Sequence, residues 1–199
     1  MKKRARKKRG FFSEQYKKSW ETLGASKNYI LFTLVVFVLF SLIGFIFPIF
    51  FVDEIMALLE KLALEFEGLG VFETILKIFL NNLQASFLSV MLGIILGLFP
   101  LGAAIVNGYV LGFVGRHAVG VGGVFILWRL LPHGIFELPA VLISMGLGLW
   151  IGVSILKRGA SWSGFKKNFI DAMRVFIFVV LPLLIIAGII EGILVFFVG

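Results

Sequence analysis

The chain has 199 residues, 60% of them hydrophobic, with 23 phenylalanines and a mean hydropathy of +1.05. That is more apolar surface than one small core can hide, which excludes a soluble globular domain and leaves lipid as the solvent. The net charge is +8, gathered mostly at one end, and the absence of cysteine excludes disulfides and thiolate metal sites.

Residues 1–28 form a basic tail. Lys2, Lys3, Arg4, Arg6, Lys7, Lys8, Arg9, Lys17, Lys18 and Lys27 supply ten of the 19 basic residues, opposed only by Glu14 and Glu21. Beside a long apolar run this reads as a cytoplasmic juxtamembrane segment rather than a nucleic-acid arm. The run that follows is too long for a cleaved signal peptide and lacks a small-residue cleavage site. Phe11, Phe12, Tyr16 and Trp20 interleave with the bases at helical spacing, as in a segment resting on the inner leaflet.

The transmembrane domain is expected over residues 29–199. The first span runs from Ile30 to Phe51, long enough for a hydrocarbon core of roughly 30 Å. Residues 53–80 hold six acids against two bases, a charge of −4. Ile55, Leu58, Leu59, Leu62 and Phe66 recur at helical spacing, so this is an external amphipathic helical segment, interrupted at Gly68 and Gly70. A second span is expected from about Leu83 to Leu101. A third starts near Ala103. Gly115, Arg116 and His117 interrupt it, and Gly120, Gly122 and Gly123 follow. It reads as a broken or re-entrant segment, with a full span plus an interfacial helix as the alternative. A fourth span covers about Ile135–Leu156, and Lys157, Arg158, Lys166 and Lys167 make a basic loop. A fifth covers about Val175–Val198.

The fold class is therefore all-α: a polytopic membrane bundle of about five transmembrane helices. Basic segments stay inside, so the N-terminus is expected in the cytoplasm, residues 53–80 outside, and the C-terminus outside. Small residues recur every four positions at Ser89/Gly93/Gly97, Ala104/Gly108/Gly112, Ser144/Gly148/Gly152 and Gly188/Gly192. Such ridges let helix backbones approach closely in lipid. Spans two to five are expected to pack tightly, with span one at the edge. Four ridges exceed what internal contacts need, so a homodimer or other homo-oligomer is expected.

The strongly polar groups of the second half are Arg116, His117, Arg129, His133, Glu137 and Glu191. Pro132 suits the first turn of span four, and Pro139 frees the carbonyl of Ile135. His133 and Glu137, four apart, then share a helix face. With Asn81 and Asn82 at the same depth, a polar cluster forms at one end of the bundle. The preferred reading is a structural knot in which Glu137 pairs with Arg129 or Arg116. The alternatives are a substrate or ion site, a partner interface, and a metal site completed by His117 or Glu191. No His-Glu-x-x-His pattern, nucleophile elbow or phosphate-binding glycine loop occurs, so no catalytic residue, metal or cofactor is expected.

Leu131-Pro-His-Gly-Ile-Phe-Glu-Leu-Pro-Ala140, preceded by Asn81-Asn82 and by Asn107-Gly108, resembles the stage II sporulation protein M family of integral membrane proteins. The resemblance runs from about Trp20 to the fifth span. It implies one span, an external helical segment and a compact group of four. It adds Asn107 to the candidate binding residues His133, Glu137, Arg129, Asn81, Asn82 and Glu191. In spore-forming bacteria the family implies a membrane anchor for a peptidoglycan-degrading complex. The expected function is a non-enzymatic membrane scaffold or complex component whose partners are the lipid bilayer and other membrane or envelope proteins. The alternative is a transporter or channel component with its polar site at His133 and Glu137.

Overall fold

The computed structural model describes residues 10–123, 125, 131–157 and 161–198. Among these there are helices and turns and no strand. The helices are α1 (Phe11–Ile46), α2 (Val52–Phe66), α3 (Val71–Met91), α4 (Leu98–Gly122), α5 (Leu131–Leu156), α6 (Trp162–Val175) and α7 (Leu181–Val198). Five helical stretches are long and apolar enough to cross a membrane: Phe11–Ile46, Val71–Ile94, Leu98–Gly122, Gly134–Leu156 and Trp162–Leu194. The chain is a multi-pass membrane protein. Phe32, Val35, Leu39, Leu42 and Ile46 lie exposed along α1, as side chains facing lipid must.

From Phe11, α1 runs unbroken for 36 residues. Hydroxyls in its first half turn back onto their own helix: Ser19 Oγ donates to the Gln15 carbonyl at 3.0 Å, and Ser26 Oγ to that of Thr22 at 2.9 Å. This satisfies buried hydroxyls without a partner helix. α1 stops at Phe47, before Pro48. The turn into α2 is pinned by Tyr109 of α4. Its hydroxyl accepts from the Phe50 N–H at 2.9 Å and donates toward the carbonyls of Phe47 (3.1 Å) and Phe50 (3.2 Å).

The second crossing starts at Val71, not near Leu83, so the amphipathic segment between spans is the shorter α2, and Glu73 and Lys77 belong to α3. After Met91 the chain tightens into a 3₁₀ turn at Leu92–Ile94, and Leu96 and Gly97 follow with φ of 52° and 72°. Two consecutive left-handed residues end the helix outright. Hydropathy alone placed this stop inside span two, because the turn residues are as apolar as the helices.

The broken third segment expected from the glycines is not observed. α4 is continuous from Leu98 through Gly115, Arg116, His117 and Gly120 to Gly122. Its glycines serve packing. A Cβ on Gly108 would stand 2.5 Å from the Phe37 carbonyl oxygen, and one on Gly112 would meet that of Ser41. The Ala104 ridge therefore seats α1, which is exposed on its outer side yet bound backbone to backbone on its inner one.

α5 is the hub and contacts α1, α3, α4, α6 and α7. Residues 144–152 are buried without interruption, as expected of a helix apolar all round. Gly148 and Gly152 lie against Ser89, Gly93 and Gly97, while Gly146 lies against Ile30. Gly188 and Gly192 of α7 rest on Phe79 and Ile75 of α3. All four ridges are thus occupied within one chain, which removes the ground on which a homo-oligomer was expected. These pairings also fix directions. α4 runs with α1, α5 runs against α1, α3 runs with α5, and α7 runs against α3.

α6 begins at Ser161, whose Oγ accepts from the Gly164 N–H at 3.1 Å. It is tied to α1 through Arg174, whose Nε donates to Gln15 Oε1 at 2.9 Å and whose Nη1 meets Asp171. One π-helical turn, Phe176–Val180, joins α6 to α7. Pro182 follows it. A proline there has no N–H to give the Phe178 carbonyl and crowds it, and a wider turn relieves that clash.

Candidate functional site

α5 and α7 meet near the first turns of α5, and the meeting brings Glu137 and Glu191 together. Their carboxyl groups lie within hydrogen-bonding reach of each other. Glu191 is largely enclosed, and its Oε2 is shut off from solvent without a hydrogen-bond partner among the described residues. The geometry has a clear sequence origin. Gly188 and Gly192 let α7 settle on Phe79 and Ile75, and the residue between them, Glu191, is turned toward α5. Pro139 lies inside α5 and has no N–H to give the Ile135 carbonyl, two residues before Glu137.

Two carboxylates at this separation repel in a medium of low dielectric. A shared proton converts the contact into a short hydrogen bond, and a cation between them removes the repulsion. The arrangement can therefore hold a proton or a small cation. Among the described residues no group of three His, Asp or Glu is placed to hold a metal ion.

The other candidate residues are distributed differently from the sequence expectation. His133 is in the first turn of α5, one turn before Glu137. Arg129 lies outside the described residues, as does the side chain of His133. Arg116 does not reach Glu137: its guanidinium stands 5.9 Å from the centroid of the Phe45 ring. His117 stacks on Phe113 at 6.2 Å and 6°. Both line a separate cavity of about 450 Å³ with Pro48 and Val52, on the α1–α4 side. Asn107 is exposed and donates to the Ala103 carbonyl of its own helix at 2.8 Å. Asn81 is exposed, and Asn82 is half-buried on α3, one turn beyond Ile78. Among the described residues the pair assembled is carboxyl with carboxyl; Arg116 stands elsewhere, and the expected pairing of Glu137 with Arg129 lies outside them. Sequence spacing links Glu137 to His133 on one helix, but nothing in it links Glu137 to a residue two helices later.

Residues 24–195 match the family described as stage II sporulation protein M. An uncharacterized protein of Methanocaldococcus jannaschii is 31% identical over 127 residues, which is 61% of this chain and 56% of that protein. The match thus spans little more than half of that relative's length. No solved structure matches. The glycine-seated bundle, the Pro-His-Gly-Ile-Phe-Glu-Leu-Pro-Ala stretch that opens its hub helix, and a match over most of the sequence lead to one conclusion: the chain belongs to the stage II sporulation protein M family.

Proposed function

We propose that the protein is a non-enzymatic membrane scaffold, a rigid frame that holds the partners of a membrane complex. The observation behind this reading is the backbone-to-backbone packing of α1 on α4 and of α3 on α5, which leaves little freedom for one helix to slide on the next. A frame of this kind binds partners through what it leaves outside. α2 carries Asp53, Glu54, Glu60 and Glu65 on an exposed amphipathic helix, and α1 carries an aromatic and basic end. Photo-crosslinking from positions along exposed α2 in native membranes tests it. Discrete protein adducts are expected, and their absence from every position would overturn the scaffold.

The Glu137–Glu191 pair favours a second reading, a component that carries protons or small cations across the membrane. Ionisable groups at that depth are costly and commonly mark an ion path. In sealed liposomes this reading requires proton or sodium flux that Glu191→Gln abolishes. Flux indistinguishable from protein-free vesicles would leave the scaffold alone.

A further inference from the structure

The end of the bundle away from the carboxyl pair holds a second polar site. There α1 crosses α6 above Trp150 of α5, and the crossing encloses a cleft of about 500 Å³. Lys18 and Glu21 of α1 line it, with Lys167, Asn168 and Arg174 of α6, and Trp150 forms the floor. The acids on its rim are already engaged. Asp171 is paired with Arg174, and Glu21 lies 3.5 Å from Lys17. Lys167 makes no ion pair among the described residues. The cleft therefore presents an uncommitted ammonium and an amide donor, with the Lys18 ammonium, shared with Glu14 at 2.6 Å, beside them.

A second cavity of about 290 Å³ adjoins the first, and Arg174 lines both. Its lining is of the opposite kind: Phe11, Phe169, Met173, Ile177 and Phe178. Both cavities use α1 before its apolar run starts at Ile30, and the apolar groove adds Ile177 and Phe178, with which the last span begins. Tyr16 and Trp20 of α1 and Trp162 of α6 are exposed, as amphipathic aromatics are at headgroup level.

From the shared wall of a cationic cleft and an apolar groove we infer that the α1–α6 crossing is a binding site for an anionic membrane lipid. Lys167, Asn168 and Lys18 take its phosphate, and one acyl chain lies in the groove along Ile177 and Phe178. A free phosphate ester would use the cleft alone and leave the groove empty. A lipid uses both.

The full chain in mild detergent, probed by native mass spectrometry and thermal shift, tests this. The probes are phosphatidylglycerol, phosphatidylcholine with the same chains, and water-soluble glycerol phosphate. Phosphatidylglycerol is expected to be retained and to raise the melting temperature more than the other two. Lys167→Glu should weaken its binding about tenfold, the loss of a charge-assisted contact. Lys166→Glu, the same charge change on the same exposed helix outside the cleft, should weaken it about twofold or less. Ile177→Trp, which fills the groove and leaves the charge unchanged, should also weaken it. Melting of each variant without lipid reports folding separately. Equal binding of the two lipids, equal losses in the Lys166 and Lys167 variants, or full competition by glycerol phosphate would each overturn the inference.

Discussion

Glu191 is the residue on which the interior electrostatics turn. Among the described residues its Oε2 has no partner and its neighbour is another acid. An amide in its place removes one of two like charges and donates a hydrogen bond to Glu137. Glu191→Gln is therefore expected to hold or raise the melting temperature, by up to about 1 kcal/mol of stability, the usual net worth of one hydrogen bond. A clear loss of stability would show that the pair is bridged by a positive group that both carboxylates need. The motif around His133 marked Glu137 legibly in the sequence. Glu191 was named there only as a member of the polar group and a possible fellow ligand; its direct contact with Glu137 was not legible, because the seating of Gly188 and Gly192 on α3 is what turns it inward.

Helices in this bundle are held by what their glycines lack. Gly108→Ala would set a Cβ 2.5 Å from the Phe37 carbonyl oxygen, and neither backbone can yield without parting α1 from α4. The expected loss is about 1–3 kcal/mol, typical of overpacking. Gly102, on the same helix, has open space about its Cβ position, so Gly102→Ala should be neutral or stabilising by about 0.5–1 kcal/mol. Thermal melts of the two variants separate a packing glycine from an idle one. The four-residue recurrence of small residues announced these ridges. Which helix each would meet was not announced, since a ridge specifies closeness and not a partner.

α2 is held by Ile55 against Tyr109 and Phe113 of α4 and, near its far end, through charge. Lys77 Nζ reaches Glu65 Oε2 at 2.9 Å and the Glu65 carbonyl at 2.9 Å, and it stands 5.2 Å from the Phe66 ring centroid. The Lys77 hydrogen bond and charge hold the Glu65 carboxyl below its ordinary value of 4.5. A depressed carboxyl pKa contributes docking strength that is fully present above 4.5 and fades as pH falls through the lower, folded value. Hydrogen exchange within 52–66, corrected for intrinsic rates, should accelerate below that point. In Lys77→Met the same pH dependence should vanish.

The molecule as a whole follows the alternation written in its hydropathy. Helix directions read from the glycine contacts run α1, α4 and α7 one way and α3 and α5 the other, as a chain crossing five times must. The number of spans was legible because twenty apolar residues have few other uses. Their ends were not legible where an apolar turn joins two apolar helices, as at Leu92–Gly97, or where glycines suggested a break that packing had filled. The chain has no cysteine, so single cysteines introduced at Glu60 and at Ser163 can be labelled one at a time. The basic loop and the acidic α2 are expected to label from opposite faces, the loop from the cytoplasm. Labelling from one face would overturn the five-crossing arrangement.

The π-helical turn at Phe176–Val180 holds one residue more than a regular α-helical path through the same space would need. Most of this chain is intolerant of insertion and deletion. Removing a residue from the middle of α7 would rotate everything after it by about 100°, carrying Glu191 and Gly192 off their partners together. Within the wide turn the surplus can be given up. Deleting Ile177, whose side chain faces outward, would tighten the turn and leave Glu191 opposite Glu137, at the cost of returning Pro182 to its clash with the Phe178 carbonyl. Relatives whose last helix differs in length by one residue should carry the difference here, ahead of the proline and upstream of the glycines. A residue count that looks like a defect in the helix is its one adjustable joint.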